Sequence, residues 1–187
     1  MATLTAGQTA PYPLRLIASA VILAGVALVA FGAEISGGQA SHHMVLHIAL
    51  MNLIAPGIVL LTPRRMNPFR RGRRPAIWIA AAVQLIFFLF WHAPPGMAHS
   101  SMAVVAMYLT LLAPALWFWS EIINWSWKLP WMAIGALAVT GKIICLVAAL
   151  YVFAPRTLYA GMMEGGLADQ QLAGVLMLAA CPLAYLG

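Results

Sequence analysis

SHHMVLHIALMNLIAPGIVLLTP, residues 41–63, decides how the rest of the chain is read. It is apolar over the roughly 20 residues that a helix needs to cross a hydrocarbon core about 30 Å thick. Yet it opens with His42, His43, Met44 and His47. Helical positions four apart share a face, so His43, His47 and Met51 fall on one line, with Met44 one turn before His47. Imidazole and thioether are the donors that a soft transition-metal ion prefers, Cu(I) above all. Two readings stand side by side: an interfacial helix end whose histidines hydrogen-bond to neighbours, and a metal or cofactor site beside a membrane-length run.

Composition fixes the class. Of 187 residues, 64% are hydrophobic and 7% charged, which excludes a soluble domain and implies a polytopic membrane protein. A net charge of +6 would fit nucleic acid if it were spread over a surface. Six of the ten Lys and Arg residues instead lie between Arg64 and Arg74, in TPRRMNPFRRGRR, as in a loop facing the cytoplasm. No nucleic-acid partner is expected; membrane lipid is. Cys145 and Cys181 sit far apart in apolar runs, with no CxxC motif to suggest thiol chemistry.

Working outward on the 20-residue ruler, the expected fold is an all-α bundle forming a single transmembrane domain over 1–187. Six spans are expected, near 14–33, 41–61, 75–91, 101–120, 130–153 and 169–185, with the basic loop at 62–74. The first span follows a single positive charge, Arg15, and its end loosely resembles a signal cleavage site; it is read as an anchor helix. Pro56-Gly57 predicts a kink in the second. Trp117 and Trp119 at the end of the fourth span, with Trp125, Trp127 and Trp131 in the loop beyond, read as an aromatic belt. With the basic loop inside, both termini are cytoplasmic, and Arg156 alone stands on the wrong side.

This topology, derived from arginines, sorts the histidines. His42, His43 and His47 fall at the outer end of the second span, and His92 and His99 flank the turn after the third. Met44, Met97, Met102, Met162 and Met163 join them, with Glu164 and Asp169 nearby. No zinc-type His/Cys spacing, nucleophile with a base, phosphate-binding glycine loop or carboxylate pair is present, so an enzyme is not expected. Haem held by His47 with His92 or His99 is the rival to copper. Lys142, midway along the fifth span, costs on the order of 3 kcal/mol at the bilayer centre and is a functional candidate by default. The alternative is a lysine paired across the bundle or neutralised by burial. Met107 and Met177 read as core packing.

Several motifs occur in order: His43-Met44-x-x-His47 with Leu50-Met51-x-Leu53-x-Ala55-Pro56, then Trp91-His92-x-Pro94, Trp117-Phe118-Trp119, and Asp169-Gln170-Gln171-Leu172-x-Gly174. Over roughly residues 41–177 the chain resembles the membrane-integral CtaG-type cytochrome c oxidase assembly proteins. The resemblance implies a multi-pass protein of the bacterial inner membrane that binds or delivers copper at the periplasmic face during maturation of a haem-copper oxidase. It points to His43, His47, His92 and Asp169. The chain departs from the family pattern in offering six spans where seven are common. It also has Met107 in a neighbourhood where a histidine is expected. The candidate metal set is therefore His43, His47, His92, His99, Met44, Met51 and Asp169, with His42, Met97, Met107, Lys142 and Gln170 as further functional candidates. Haem-copper oxidase subunits are the expected partners, and homo-oligomerisation stays open. The alternatives are an accessory structural subunit of a respiratory complex and a bis-histidine haem subunit for electron transfer.

Overall fold

A computed structural model describes residues 12–63, 75–93, 101–158 and 165–186. The elements among the described residues are all helices: α1 (Tyr12–Ile35), α2 (Gln39–Ile48), a π-helical segment (Ala49–Ile54), α3 (Ala55–Leu61), α4 (Ala76–Trp91), α5 (Ser101–Ser126), α6 (Pro130–Phe153) and α7 (Gly166–Leu186). Four helices are long and apolar enough to cross a membrane: α1, the continuous rod Gln39–Leu61, Met102–Ser126 and α6. The apolar α4 is shorter. An all-α membrane bundle is the fold that composition called for. The basic loop, Met97, His99, Met162, Met163 and Glu164 lie outside the described residues.

The rod Gln39–Leu61 is the axis of the bundle. Over its apolar stretch 56% of residues are buried, against 28% in α5 and in α6 and 17% in α1. Around it pack α1, α5 and α7, while α4 and α6 close the bundle through α5 and α7. Phe118, Tyr151, Leu111, Ile77 and a set of alanines (Ala80, Ala115, Ala136, Ala148, Ala173) fill the core. Such small residues let helices approach closely where lipid supplies no hydrophobic drive for association. Gly57 shows the tolerance: a Cβ there would stand 2.5 Å from Ile22 Cγ1 and 3.1 Å from the Ala18 carbonyl oxygen on α1.

Where a kink is expected at Pro56, the structure has a π-helical segment just before it. The Ala55 amide donates to Leu50, five residues back, so in this register the Met51 carbonyl faces Pro56, which has no N–H. The Trp119 indole N–H, from α5, donates to that carbonyl at 2.7 Å. In lipid each backbone polar group must be satisfied inside the protein, and here a second helix does so. α5 also corrects the sequence reading. It continues to Ser126, so Trp125 lies on the helix and not in a loop, and Pro114 sits within it.

Candidate metal or cofactor site

One end of the bundle gathers the start of α2, the end of α4, the end of α6 and the start of α7. There the predicted stripe converges with a residue from a second helix. His43 and His47, one turn apart on α2, have ring centroids 4.3 Å apart. His92, capping the C-terminus of α4, stands 4.8 Å from His47 and 6.0 Å from His43. All three are buried. Ligand nitrogens about 2.0–2.1 Å from a metal place neighbouring imidazole centroids on the order of 5 Å apart, which these spacings bracket. Among the described residues, however, no group of three or more His, Cys, Asp or Glu side chains stands in place to hold a metal ion. The rings are close and tilted, so shared coordination would require them to turn. A site mixing imidazole with thioether draws on donors outside that set of residue types.

The ring nitrogens carry the chemical information. His92 Nδ1 lies 2.7 Å from the Phe88 carbonyl oxygen. A carbonyl only accepts, so Nδ1 carries the proton and Nε2 carries the lone pair. Fixing the tautomer through a backbone carbonyl is the arrangement usual for a metal-ligating histidine. Burial lowers the His92 pKa from 6.5 to about 4, and the Phe88 bond opposes that shift without reversing it. The ring is neutral at physiological pH. His47 is 3% exposed, and neither ring nitrogen has a hydrogen-bond partner among the described residues. A buried polar atom left unpaired costs about 1–3 kcal/mol, so a native protein that keeps one calls for an explanation.

Beside His47 lies a cavity of about 20 Å³ lined by Met44, His47, Met51, Phe88, Ile144 and Met177, among others. That is room for one water-sized guest. Met44 and Met51 were expected in the site. Met177, read as packing, lines the same cavity; its signal was the face Asp169, Ala173, Met177 and Ala180, all buried and spaced by four, four and three residues on α7. Tyr151 of α6 was not anticipated and packs with its ring centroid 6.0 Å from His92.

Other candidates fall elsewhere. Asp169 makes bonds to α2: Oδ2 accepts from the Ala40 amide at 2.7 Å, and Oδ1 accepts from the Ser41 amide at 3.1 Å and from the Ser41 hydroxyl. These amides are the second and third of α2, whose own cap position is Gly38 and has no side chain to offer. Asp169 therefore caps the histidine helix from another helix. Gly38 and Gly165 leave space for it, since a Cβ at either would stand 2.6 or 2.7 Å from Oδ2, and Gly165 has φ of +119°. Gln170 works at the end of α6. Its Nε2 donates to the Tyr151 carbonyl, whose helical donor would be Pro155, and its Oε1 accepts from the Leu158 amide. Gln171 donates to the Val152 carbonyl. The Asp169-Gln170-Gln171 element thus ties the start of α7 to the start of α2 and the end of α6.

His42 turns toward α1, where its Nδ1 lies 3.6 Å from the position of a Cβ on Gly32. Met107 is buried in the core of α5, and Met102 is 80% exposed. Lys142 is not buried and, among the described residues, is not paired across the bundle; it lies exposed on the outer face of α6. Glu121 is buried and accepts a hydrogen bond from the Trp125 indole. No family model, no curated protein and no solved structure matches this chain.

Proposed function

We propose that this chain binds copper as Cu(I) at the outer face of the bacterial inner membrane and serves the assembly of a haem-copper oxidase. The observation that carries the copper reading is the meeting of His43, His47 and His92 from two separate helices, beside the thioethers of Met44, Met51 and Met177. Neutral imidazoles and thioethers form a soft donor set without charge, suited to a monovalent cargo that must be taken up and released again. In this reading His92, its tautomer set by Phe88, and His47 hold the ion. His43 completes the imidazole set, and Asp169 keeps α2 in register. Phe88 and the surrounding core exclude water. The oxidase as destination rests on the motif resemblance over residues 41–177, and the outward placement rests on the basic loop. On this reading there are six spans with both termini inside.

A haem-binding subunit is the rival. His47 and His92 stand 4.8 Å apart at 76°, and Phe88 packs 4.0 Å from His92, so that this pair leaves no slab between its rings for a macrocycle; His99, the other expected partner of His47, lies outside the described residues.

Detergent-purified protein loaded with Cu(I) tests the proposal, run beside the double variant His43→Ala, His47→Ala. The expected result is one copper per chain, lost in the variant, with no haem band in the visible spectrum. Absence of copper uptake by the folded protein would overturn it. A deletion strain provides the second arm: its oxidase should lack copper and activity, and an oxidase of full activity would remove the assembly role.

A further inference from the structure

The outer face of α6 carries a charge where a lipid-facing helix should have none. Lys142 is the thirteenth of the 24 residues Pro130–Phe153, about 17 Å from either helix end at 1.5 Å per residue. The opposite side of α6 (Met132, Ala136, Thr140, Ile144, Ala148, Tyr151) is buried in the bundle. Lys142 is exposed in a stripe with Trp131, Ile134, Leu146, Leu150 and Phe153. A lysine near a helix end brings its ammonium to the interface by extending its stem. From the midpoint this fails, because the stem reaches little further than one helical turn, about 5.4 Å.

Among the described residues no acid stands in place to neutralise it. Of the acids among the described residues, Asp169 is bonded to α2 and Glu121 is buried against Trp125. Glu34 stands at the end of α1, which packs on α2, α3 and the π-helical segment. The same inventory argues against a second copy as the partner. Among its described residues it would present no surface carboxylate at this depth, and two symmetry-related Lys142 ammonium groups would repel each other. Headgroup phosphates lie at the membrane surface, beyond reach.

We infer that the Lys142 face of α6 docks a transmembrane helix of a different protein that carries an Asp or Glu near its midpoint. A carboxylate at that depth would share the lysine's problem, and pairing relieves both, since an ion pair between helices is weakly screened in hydrocarbon. The apolar neighbours above and below Lys142 supply the packing surface, and Ala138, exposed one turn away, lets a helix come close. The inference does not depend on copper binding.

The test uses the full chain in phosphatidylcholine vesicles with a labelled single-span Leu/Ala peptide bearing Glu at its midpoint, compared with the same peptide bearing Leu or Lys there. Energy transfer should report binding of the Glu peptide about ten-fold tighter than the Leu peptide, in the range of polar contacts between membrane helices. Lys142→Met, which keeps an unbranched stem, should erase the preference, and Lys142→Glu should transfer it to the Lys peptide. Circular dichroism melting confirms that each variant is folded. Equal binding of the Glu and Leu peptides by the native chain would overturn the inference, as would a preference surviving Lys142→Met. Energy transfer between two labelled copies that vanishes in Lys142→Met would assign the face to a homodimer instead. Loss of the preference in phosphatidylglycerol vesicles would assign it to lipid headgroups.

Discussion

α1 and the rod Gln39–Leu61 are nearly equal in hydropathy, 2.5 and 2.2, yet 17% of one and 56% of the other is buried over that stretch. In water a helix of either composition would be driven into a core. In lipid the solvent is as apolar as leucine, so hydropathy decides whether a helix inserts and not which helix ends up in the middle. The centre belongs to the rod because its polar and irregular features need partners: two α2 amides, the Ser41 hydroxyl, His43, His47 and the Met51 carbonyl. α1 has few such needs within its apolar stretch, and it presents Leu16, Leu23, Val26 and Phe31 outward.

The contrast breaks most readily at Asp169. Asp169→Ala leaves the Ala40 and Ser41 amides unpaired in a buried place, while the Ser41 hydroxyl keeps its bonds to Gly37 and Gly38, and should destabilise the protein by about 3 kcal/mol. Reversible unfolding in mixed dodecylmaltoside and dodecyl sulfate micelles measures it, and Asp169→Asn, which keeps one acceptor oxygen, should recover about half. No measurable loss would mean that polar satisfaction does not hold the rod in place. Gly57→Val comes next. Its side chain meets the Ala18 carbonyl, which cannot rotate away, and overpacking of this kind costs about 1–3 kcal/mol. The same titration reads it, and a compensating Ile22→Ala should restore only part, because the backbone contact remains.

Trp119→Phe keeps the ring and removes the indole N–H. The Met51 carbonyl then has neither Pro56 nor Trp119 as donor, an expected loss of about 1–2 kcal/mol visible as a lower unfolding midpoint. A neutral outcome would mean that another group or water reaches that carbonyl. The smallest effect is expected on the other side of the comparison. Leu23→Ala, at a residue 68% exposed, should change stability by less than about 0.5 kcal/mol. A cost equal to that of Trp119→Phe would show that α1 is covered by a partner.

As helical segments, five of the six expected ranges agree with the helices to within three residues at each end, and 130–153 with α6 to the residue, while 101–120 stops six residues short of Ser126. The His43–His47–Met51 stripe was legible because a helix repeats every 3.6 residues, whatever lies around it. The role of Asp169 was not. Its partners, Ala40 and Ser41, are 129 and 128 residues away in the chain, and a carboxylate that the topology puts at the same membrane face as the histidines reads as a ligand until its bonds to α2 are seen. The direction in which Lys142 faces was not legible for the complementary reason. Sequence placed it at mid-span, but with hydrophobic residues all round α6 no periodicity distinguished an inward from an outward face.

Composition and the placement of arginines alone determined that this is an all-α membrane protein, that residues 41–61 form a helix with a histidine stripe, and that a charge sits midway along 130–153. These are local properties, set by the energetics of single helices in a bilayer. Only the tertiary structure decided that His92 meets His43 and His47, that Met177 joins Met44 and Met51, that Asp169 caps α2, and that Lys142 faces outward. Those outcomes depend on how helices rotate against one another. In lipid that rotation is set by small residues and unpaired polar groups, whose partners lie on other helices.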